Sequence, residues 1–457
     1  MVTAAMPHTP TAQQQAVIEA LVRFCSKATP QLSVFVLNGY AGTGKTSVVA
    51  ALVKSLRAVR YGTVLLAPTG RAAKVLGTMA GRQAFTIHRK IYRTDGAGNT
   101  VAIAGVADNP HRNTVFIVDE ASMIGGDGDS TLLDDLLQYV YNGDNCRIIF
   151  VGDTAQLPPV GCEESPAMSV KRLHDTGLRV SRAILTQTVR QASDSGILYN
   201  ATMLRRMMRL DPLVRPKLCT SAFADVRTVT PEDLEDALSA SYSRFGIDET
   251  IIITRSNSRA MRFNLAVRES ILGKEEDISR DEPLLIARNN YHWTAKVRGA
   301  DFLANGDIAR VAHIYGSEIR GYLRFADVRL ALPDRDIELD TKIILSSLNA
   351  ESAGLSPDHE REITQLALRD AGITEAASPN ERAKAFRNSP YYNALRVKYA
   401  YAVTCHKAQG GQWESVFVDM AGISAEAETT IDFYRWLYTA ATRARSLLTF
   451  VRPRDND

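Results

Sequence analysis

The chain has 457 residues, of which 45% are hydrophobic and 23% charged, so global disorder is excluded and the chain is too long for one hydrophobic core. The formal net charge of +3 does not by itself indicate a polyanion ligand, so a nucleic-acid site would have to be a local groove. The five scattered cysteines contain no C-x-x-C pair, and no stretch has the length of a membrane span. We expect a cytoplasmic protein of roughly two to four domains, without a disulfide framework or zinc site.

The first informative element is a strand, a glycine-rich loop and a helix. Val34–Asn38 is an apolar run typical of a buried strand, and the loop after it has the form G-x-x-x-x-G-K-T. Backbone N–H groups of such a loop surround nucleotide phosphates, the lysine reaches the β- and γ-phosphates, and the threonine hydroxyl ligates Mg²⁺. The sequence therefore predicts a site for a nucleoside triphosphate and Mg²⁺ formed by Gly39, Ala41, Gly42, Thr43, Gly44, Lys45 and Thr46.

Two further apolar runs end in polar residues. The run at 114–118 is followed by Asp119 and Glu120, and the run at 146–152 is followed shortly by Gln156. The carboxyl ends of parallel strands open on the ligand site of an α/β sheet. We expect Asp119 to hold Mg²⁺, Glu120 to deprotonate the attacking water and Gln156 to sense the γ-phosphate. This pattern favours a hydrolase over a passive nucleotide binder.

Strands and helices alternate to about residue 193, as in a parallel α/β sheet. A hairpin signal interrupts this pattern, with β-prone runs on either side of the Gly-rich turn at 95–99. A second α/β unit follows. Its predicted elements are a strand at 250–254, a helix at 264–272, a β-rich stretch at 283–346, helices at 356–389, a strand at 398–403, a helix near 434–445 and a strand at 447–451.

Eight motifs in this order resemble the signature of superfamily 1 helicases, most of all the 1B branch of phage Dda and bacterial RecD-type enzymes. They occupy residues 39–46, 67–76, 86–88, 119–122, 152–156, 185–191, 403–410 and 438–444. The resemblance covers nearly the whole chain. It implies an α/β fold of two RecA-like parallel-sheet motor domains, with an inserted β-hairpin pin and an inserted SH3-like β-barrel subdomain that carries a helical extension.

The same resemblance implies the domain boundaries. The first motor domain would comprise 1–88 and 113–193, with the pin at 89–112. The second would comprise 194–280 and 396–457, with the SH3-like subdomain at 281–395 and its extension at about 356–389. ATP would lie between the motor domains, and single-stranded DNA would cross both of them.

Further nucleotide contacts are implied by position within the motifs. Gln14 resembles the adenine-reading glutamine, whose amide can match both edges of the base. Arg190 and Arg443 resemble the two arginines that stabilise charge on the γ-phosphate. The catalytic set is thus Lys45, Asp119, Glu120, Gln156, Arg190 and Arg443, and Gly410 joins the nucleotide-binding residues.

The DNA-contacting residues implied by the family are mostly small polar groups, which suit contacts to phosphates rather than to bases. Aromatic residues that could stack on bases are Tyr291, Trp293 and Trp413. The complete DNA-binding set is Pro68, Thr69, Arg71, Thr86, His88, Thr254, Asn257, Thr404, His406 and Trp413.

The leading hypothesis is a monomeric ATP-dependent DNA helicase that moves 5′ to 3′ on single-stranded DNA and opens duplex forks. Replication and recombination proteins are candidate partners. One alternative keeps the motor but acts on RNA or displaces bound proteins. Another is a P-loop kinase or switch ATPase, which gives no reason for Gln156, Arg190 and Arg443 in their motifs.

Overall fold

The computed structural model describes residues 2–26, 29–94, 103–126, 132–189, 195–295, 297, 302–333, 336–350, 354–374 and 376–452. The chain forms two compact units. The first comprises Met1–Arg93, Gly105–Val229 and Ala408–Asp457, and the second contains Thr230–Lys407.

The first unit begins with alternating strands and helices. The strands are β1 Ser33–Gly39, β2 Gly62–Ala67, β3 Ala84–Thr86, β4 Tyr92–Thr94, β5 Ile103–Val106, β6 Thr114–Val118, β7 Arg147–Gly152, β8 Arg179–Leu185 and β9 Val226–Val229. The helices are α1 Ala12–Phe24, α2 Lys45–Ala58, α3 Gly70–Ala80, α4 Ile87–Ile91, α5 Leu132–Tyr141, α6 Val170–Asp175 and α7 Gly196–Met207.

Six of these strands form one sheet in the order β3-β2-β6-β7-β1-β8, and every pair is parallel. Successive side chains of β1 pack into the hydrophobic cores on opposite faces of the sheet. Val34 and Val36 pack with α5 side chains, whereas Phe35 and Leu37 pack with α1 and α2. Helices thus cover both faces of the sheet, which explains why its central strands are apolar at successive positions.

Strands β4 and β5 pair as a separate two-stranded sheet, which confirms the predicted hairpin strands. At the base of the hairpin the backbone N–H of Ala107 donates to Ile91 O at 2.7 Å, and the Tyr92 hydroxyl donates to Asp135 at 2.7 Å. The turn at Asp95–Asn99 lies outside the described residues.

The second unit contains α8 Leu234–Phe245, β10 Thr250–Thr254 and α9 Asn257–Ala266, which continues as a π-helical turn at Val267–Ile271. A barrel follows, with strands β11 Pro283–Ile286, β12 Ile308–Arg320, β13 Leu323–Leu332, β14 Ile337–Ile344 and β15 Leu395–Tyr399. The remaining elements are α10 Pro357–Asp370, α11 Pro379–Asn388, β16 Ala402–Thr404 and α12 Cys405–Ala408. Both α10 and α11 begin at a Ser-Pro pair whose serine caps the helix.

The single strand expected at 398–403 is two strands. Residues of β15 pair with β11 and β14 and close the barrel, whereas β16 pairs in parallel with β10. Closure removes the exposed edges that an open four-stranded sheet would leave. Because the fifth strand is separated from β14 by two helices, the β-rich stretch at 283–346 does not contain the complete barrel.

The end of the chain returns to the first unit with β17 Trp413–Asp419, α13 Ile431–Ala441 and β18 Ala444–Val451. Strand β18 pairs in parallel with both β17 and β9. The predicted fold class is confirmed by these parallel sheets with an inserted hairpin and a closed small barrel. The domain boundaries remain predictions.

Candidate nucleotide and DNA sites

The loop between β1 and α2 has the conformation that its glycines allow. Gly42 and Gly44 have φ values of 73° and 79°, in the left-handed region that favours glycine. A Cβ on Gly39 would lie 2.6 Å from Lys45 Cγ, so only glycine lets the lysine pass. Lys45 Nζ donates to Gly39 O and, at 3.2 Å, to Tyr40 O. The lysine is thereby held across the start of the loop.

Gln14 lies under the other end of this loop and is fully buried. Its side-chain N–H donates to Thr43 O at 3.0 Å, and its carbonyl accepts from Thr11 N at 3.1 Å in a capping box. The preceding Gln13 accepts from the backbone N–H groups of Thr186 and Gln187. Gln14 thus supports the phosphate loop in this structure, and its adenine-reading role remains a prediction.

Asp119 and Glu120 follow β6, two strands from β1 in the sheet. Glu120 N donates to Asp119 Oδ1 at 2.9 Å, and Glu120 has φ 52°, a left-handed conformation that costs free energy in a non-glycine residue. Burial raises the pKa of Asp119, the neighbouring Glu120 charge raises it further, and the Lys45 ammonium opposes both. A desolvated aspartate with a second carboxylate next to it, beside this lysine, is suited to hold a cation.

The loop after β7, between β6 and β1 in the sheet, carries Asp153 and Gln156. Asp153 is fully buried and accepts hydrogen bonds from Ala155 N and, at 2.7 Å, from the Tyr438 hydroxyl. The same hydroxyl accepts from Ala41 N at 2.9 Å. Tyr438 of α13 therefore connects the phosphate loop with the loop after β7.

Two neighbouring contacts reinforce this connection. Leu157 N donates to the Thr439 hydroxyl at 2.8 Å, and the Gln409 amide donates to Leu157 O at 2.8 Å. Burial raises the pKa of Tyr438 well above its usual value, and the Asp153 charge adds to the effect. The tyrosine thus stays protonated and keeps donating to Asp153.

The two predicted arginines have different positions. Arg443 is buried, and its guanidinium donates to Thr439 O, Gly411 O and the Thr442 hydroxyl at 3.0–3.2 Å. All three acceptors belong to the C-terminal segment. In this conformation the Arg443 guanidinium is therefore held by neighbouring protein groups. Arg190 lies outside the described residues. The γ-phosphate roles of both arginines remain predictions.

The DNA-contact candidates of the first unit lie at one edge of its sheet. Thr69 follows β2 and Thr86 is the last residue of the adjacent strand β3, and their hydroxyls cap α3 and α4. Gly410, with φ 72°, lies against this edge, because a Cβ there would be 3.1 Å from Thr69 Oγ1. Pro68 immediately precedes Thr69. Gly410 is thus located beside the predicted DNA residues of α3 rather than beside the phosphate loop residues.

Trp413 has no face available to a base in this structure. Its side chain is 3% exposed, and the Arg71 guanidinium lies 4.1 Å from the centre of the ring while donating to Gln412 O at 2.7 Å. The prediction that Trp413 stacks on DNA is therefore not supported by its position. His88 is packed against the Tyr92 ring at 5.6 Å, and burial lowers the His88 pKa.

A second set of candidates lies at the ends of β10 and β16. Thr254 and Thr404 are directly paired across these parallel strands. The Thr254 hydroxyl donates to Ser256 O at 3.0 Å, and Asn257 begins α9. His406, two residues beyond Thr404, has a pKa lowered by burial. The second unit therefore brings together all four of its predicted DNA residues.

A small cavity of about 30 Å³ adjoins this second set and is lined by Asn257, Thr404, Lys398 and Lys407, among others. Burial lowers the pKa of both lysines. That of Lys398 falls to about 8, partly because of the charge on Lys407. Sequence reasoning missed these two lysines, although Lys407 adjoins the predicted His406. Two lysine charges at one place favour the binding of a phosphate.

The two remaining aromatic candidates belong to the barrel region. Tyr291 is stacked on Phe302 with ring centres 4.9 Å apart. Trp293 donates from its indole N–H to Asn393 O at 2.8 Å. Both rings are half-buried and have protein partners, so their contribution to base stacking remains a prediction.

Comparison with known proteins gives two family matches. Residues 10–207 match an AAA domain, and residues 399–451 match a UvrD-like helicase C-terminal domain. The ATP-dependent RecD2 DNA helicase of Deinococcus radiodurans is 27% identical over 417 residues, which cover 90% of this chain and 46% of the relative. The ATP-dependent DNA helicase dda of Enterobacteria phage T4 is 34% identical over 134 residues, 29% of each protein.

These matches support a superfamily 1 helicase related to RecD and Dda. The chain spans about half the length of the RecD2 relative (46%). Among solved structures, the Pif1 helicase from Candida albicans has a TM-score of 0.47 at 16% identity, covering 96% of this chain and 94% of that chain. Among the described residues, no helix is long and apolar enough to cross a membrane.

Two buried polar atoms fit a nucleotide site. Gln156 Oε1 and Ser122 Oγ are buried and have no hydrogen-bond partner among the described residues. Such atoms are usually satisfied by water or a ligand. With the glycine cradle, Lys45 and the Asp119–Glu120 pair nearby, this site has the donors and acceptors for a nucleoside triphosphate. Thr46 and Asp119 are the residues that would hold its Mg²⁺.

The structure also adds residues to which the sequence assigned no role. Tyr438 and Gln409 lie inside recognised motifs, but no periodicity shows that their side chains bond to the loops after β1 and β7. Since these contacts join residues more than 150 positions apart, they depend on tertiary structure.

Proposed function

We propose that this chain is an ATP-driven translocase that moves 5′ to 3′ on single-stranded DNA and unwinds duplex DNA. The observation that supports it most strongly is the arrangement at the adjacent strands β6, β7 and β1. Their carboxyl ends carry Asp119–Glu120, Gln156 and the phosphate loop. Tyr438 and Gln409, from the UvrD-like segment, are bonded to two of these three loops.

The chemistry assigned to each residue follows from its contacts. Lys45, now bonded to two loop carbonyls, would stabilise negative charge on the β- and γ-phosphates. Thr46 and Asp119 would hold Mg²⁺, which supplies further charge neutralisation when bound. Glu120 would accept the proton of the attacking water. Gln156, whose side-chain carbonyl has no hydrogen-bond partner among the described residues, would sense the γ-phosphate.

Coupling to DNA would use the hydrogen bonds of the loop after β7. Tyr438 bonds to both Ala41 and Asp153, so a change in the phosphate loop on hydrolysis would be transmitted to α13. Thr69 and Thr86 in one unit, and Thr254 and Thr404 in the other, would contact DNA phosphates through hydroxyls. Such contacts position a strand without reading its sequence.

The decisive experiment measures ATP hydrolysis with no polynucleotide, with single-stranded DNA and with RNA of the same length. We expect strong stimulation by DNA, and DNA binding that weakens steeply with salt because phosphate contacts release counterions. Unwinding is then compared on 5′-tailed and 3′-tailed duplexes. Unwinding of only the 3′-tailed duplex would contradict the proposed direction.

The other outcomes separate the alternatives. Stimulation by RNA alone would indicate an RNA helicase. DNA stimulation with no unwinding of any tailed duplex would indicate a translocase that displaces proteins. Hydrolysis that no polynucleotide changes would contradict the proposal and favour a switch ATPase.

A further inference from the structure

Helix α7 lies against the phosphate loop. A Cβ on Gly42 would be 2.8 Å from Leu198 Cδ2, so Leu198 packs directly on the loop. The first turn of α7 is fixed by Asp225, which accepts from the Ser195 hydroxyl and from Gly196 N, both at 2.8 Å. The helix is therefore firmly positioned as a wall of the nucleotide site.

Arg205 is on the same face of α7 as Leu198, because seven residues correspond to about two helical turns. Its guanidinium lies 4.2 Å from the centre of the Tyr40 ring, and Tyr40 is the second residue of the phosphate loop. The guanidinium also donates to Thr186 O at 3.2 Å. Two independent contacts thus hold this cation at the loop.

The end of the loop beside Arg205 is the one that faces the reacting phosphate. Lys45 bonds to the carbonyls of Gly39 and Tyr40, and a P-loop lysine contacts the β- and γ-phosphates. The charge of Arg205 also acts on Tyr438, where it opposes the rise in the tyrosine pKa. Arg205 is therefore close to the γ-phosphate end of the site.

The side chain retains donor capacity. A guanidinium has five N–H donors, and among the described residues that of Arg205 makes one hydrogen bond. Stacking on Tyr40 holds the plane of the group without using its N–H groups. An arginine held in this way can present N–H donors to phosphate oxygens.

We propose that Arg205 contacts the γ-phosphate of bound ATP and stabilises the charge that develops during hydrolysis, with Tyr40 as its positioning residue. This inference rests on the proposed ATPase function. It places a third cation, from α7, at the γ-phosphate in addition to Arg190 and Arg443. Since α7 lies in the segment predicted to begin the second motor domain, hydrolysis would depend on how that helix is placed.

The test uses the full chain with Arg205→Ala and Arg205→Lys. Arg206→Ala is the matched control, because Arg206 is the next residue of α7 and is exposed. Affinities are measured for fluorescent ADP and for a fluorescent non-hydrolysable ATP analogue, and kcat is measured with saturating ATP and DNA. Thermal melting verifies that each variant is folded.

We expect Arg205→Ala to lower kcat roughly tenfold to a hundredfold, the range for one hydrogen bond to a charged group. It should lower the affinity for the triphosphate analogue but leave the affinity for ADP within about twofold of the parent value, because ADP lacks the γ-phosphate. Arg205→Lys should recover part of the triphosphate affinity but little of kcat, since lysine cannot donate bidentately. Arg206→Ala should resemble the parent.

An equal loss of ADP and triphosphate affinity in Arg205→Ala would overturn the proposal, because it would show that Arg205 only maintains the loop. An unchanged kcat would overturn it too. If Arg205→Ala fails to fold, Tyr40→Leu provides the same comparison. It should lower kcat without lowering the affinity for ADP. Because these readouts need only nucleotide turnover, a chain that hydrolyses ATP but does not unwind DNA would refute the proposed function and not this inference.

Discussion

The strand ends at β6, β7 and β1 and those at β10 and β16 are built differently. The first set carries carboxylates and a lysine whose charges act on one another, and its side chains bond to backbone groups of the phosphate loop. The second set has threonine hydroxyls, an asparagine and two desolvated lysines. Opposite charges placed close together suit chemistry on a phosphate, whereas hydroxyls and cations suit holding one.

The largest expected effect separates chemistry from binding at the first set. Glu120→Gln should lower ATP turnover by about a hundredfold or more, the scale of general-base loss, while nucleotide affinity stays close to the parent. Lys45→Ala should weaken affinity and turnover together, because the ammonium contacts the phosphates before and during the reaction. Steady-state kinetics and fluorescent-nucleotide titration measure both.

The control for these variants is Lys54→Ala, which removes an exposed lysine from α2. It should change neither quantity. Near-normal turnover of Glu120→Gln would show that another group accepts the proton. The catalytic role proposed for the strand ends at β6, β7 and β1 would then be wrong.

The second prediction concerns unwinding, for which we expect the two sets of strand ends to be insufficient without the hairpin. Replacing residues 94–100 by Asn-Gly should leave DNA-stimulated ATP hydrolysis near the parent rate but abolish unwinding of a tailed duplex. Each stacked base-pair step costs about 1–2 kcal/mol to open, and the hairpin of β4 and β5 is proposed to block re-pairing. Unwinding at the parent rate would show that the hairpin is not the pin.

A third, smaller effect concerns the connection between the phosphate loop and α13. Tyr438→Phe removes the hydroxyl that bonds Ala41 and the fully buried Asp153. A buried acceptor left without its donor costs roughly 1–3 kcal/mol, so the free energy of unfolding should fall, and DNA-stimulated turnover should fall about tenfold because the loops lose their register.

The matched control is Tyr434→Phe, one helical turn earlier on α13, whose hydroxyl donates to Val214 O at 2.5 Å. It should lower stability but not turnover. Chemical denaturation and ATPase assays distinguish the two. If both variants change turnover equally, Tyr438 acts only through the stability of α13.

The smallest effect is a pH dependence at the second set. Because burial lowers the pKa of Lys398 to about 8, the unfolded chain binds more protons than the folded chain between about pH 8 and the usual lysine pKa near 10.4. Stability from this group therefore rises as pH increases through that window. Lys398→Met should reduce the rise.

Urea unfolding of the parent and Lys398→Met at pH 7.5 and 9.5 checks this sign. The exposed Lys384 of α11 gives the control, Lys384→Met, which should retain the pH slope of the parent. Identical slopes in the parent and Lys398→Met would show that Lys398 is not desolvated, which would weaken the contrast between the two sets of strand ends.

The sequence by itself determined the local units. The spacing of Gly39, Lys45 and Thr46 predicted a strand, a cradle and a helix, because glycine adopts the left-handed φ values found at Gly42 and Gly44 without the steric cost that other residues carry. The apolar runs before Asp119 and Gln156 predicted buried parallel strands with polar ends. These are short-range properties, since backbone geometry and periodicity are encoded within a few residues.

Tertiary structure decided how distant segments meet. The barrel is closed by β15, which follows two helices, so the strand expected at 398–403 is divided. Trp413 is covered by Arg71, Tyr438 bonds to the phosphate loop, and Arg205 stacks on Tyr40. No sequence pattern specifies these pairs, because a side chain's partners depend on the packing of elements far apart in the chain, and packing decides which polar groups remain available for a ligand.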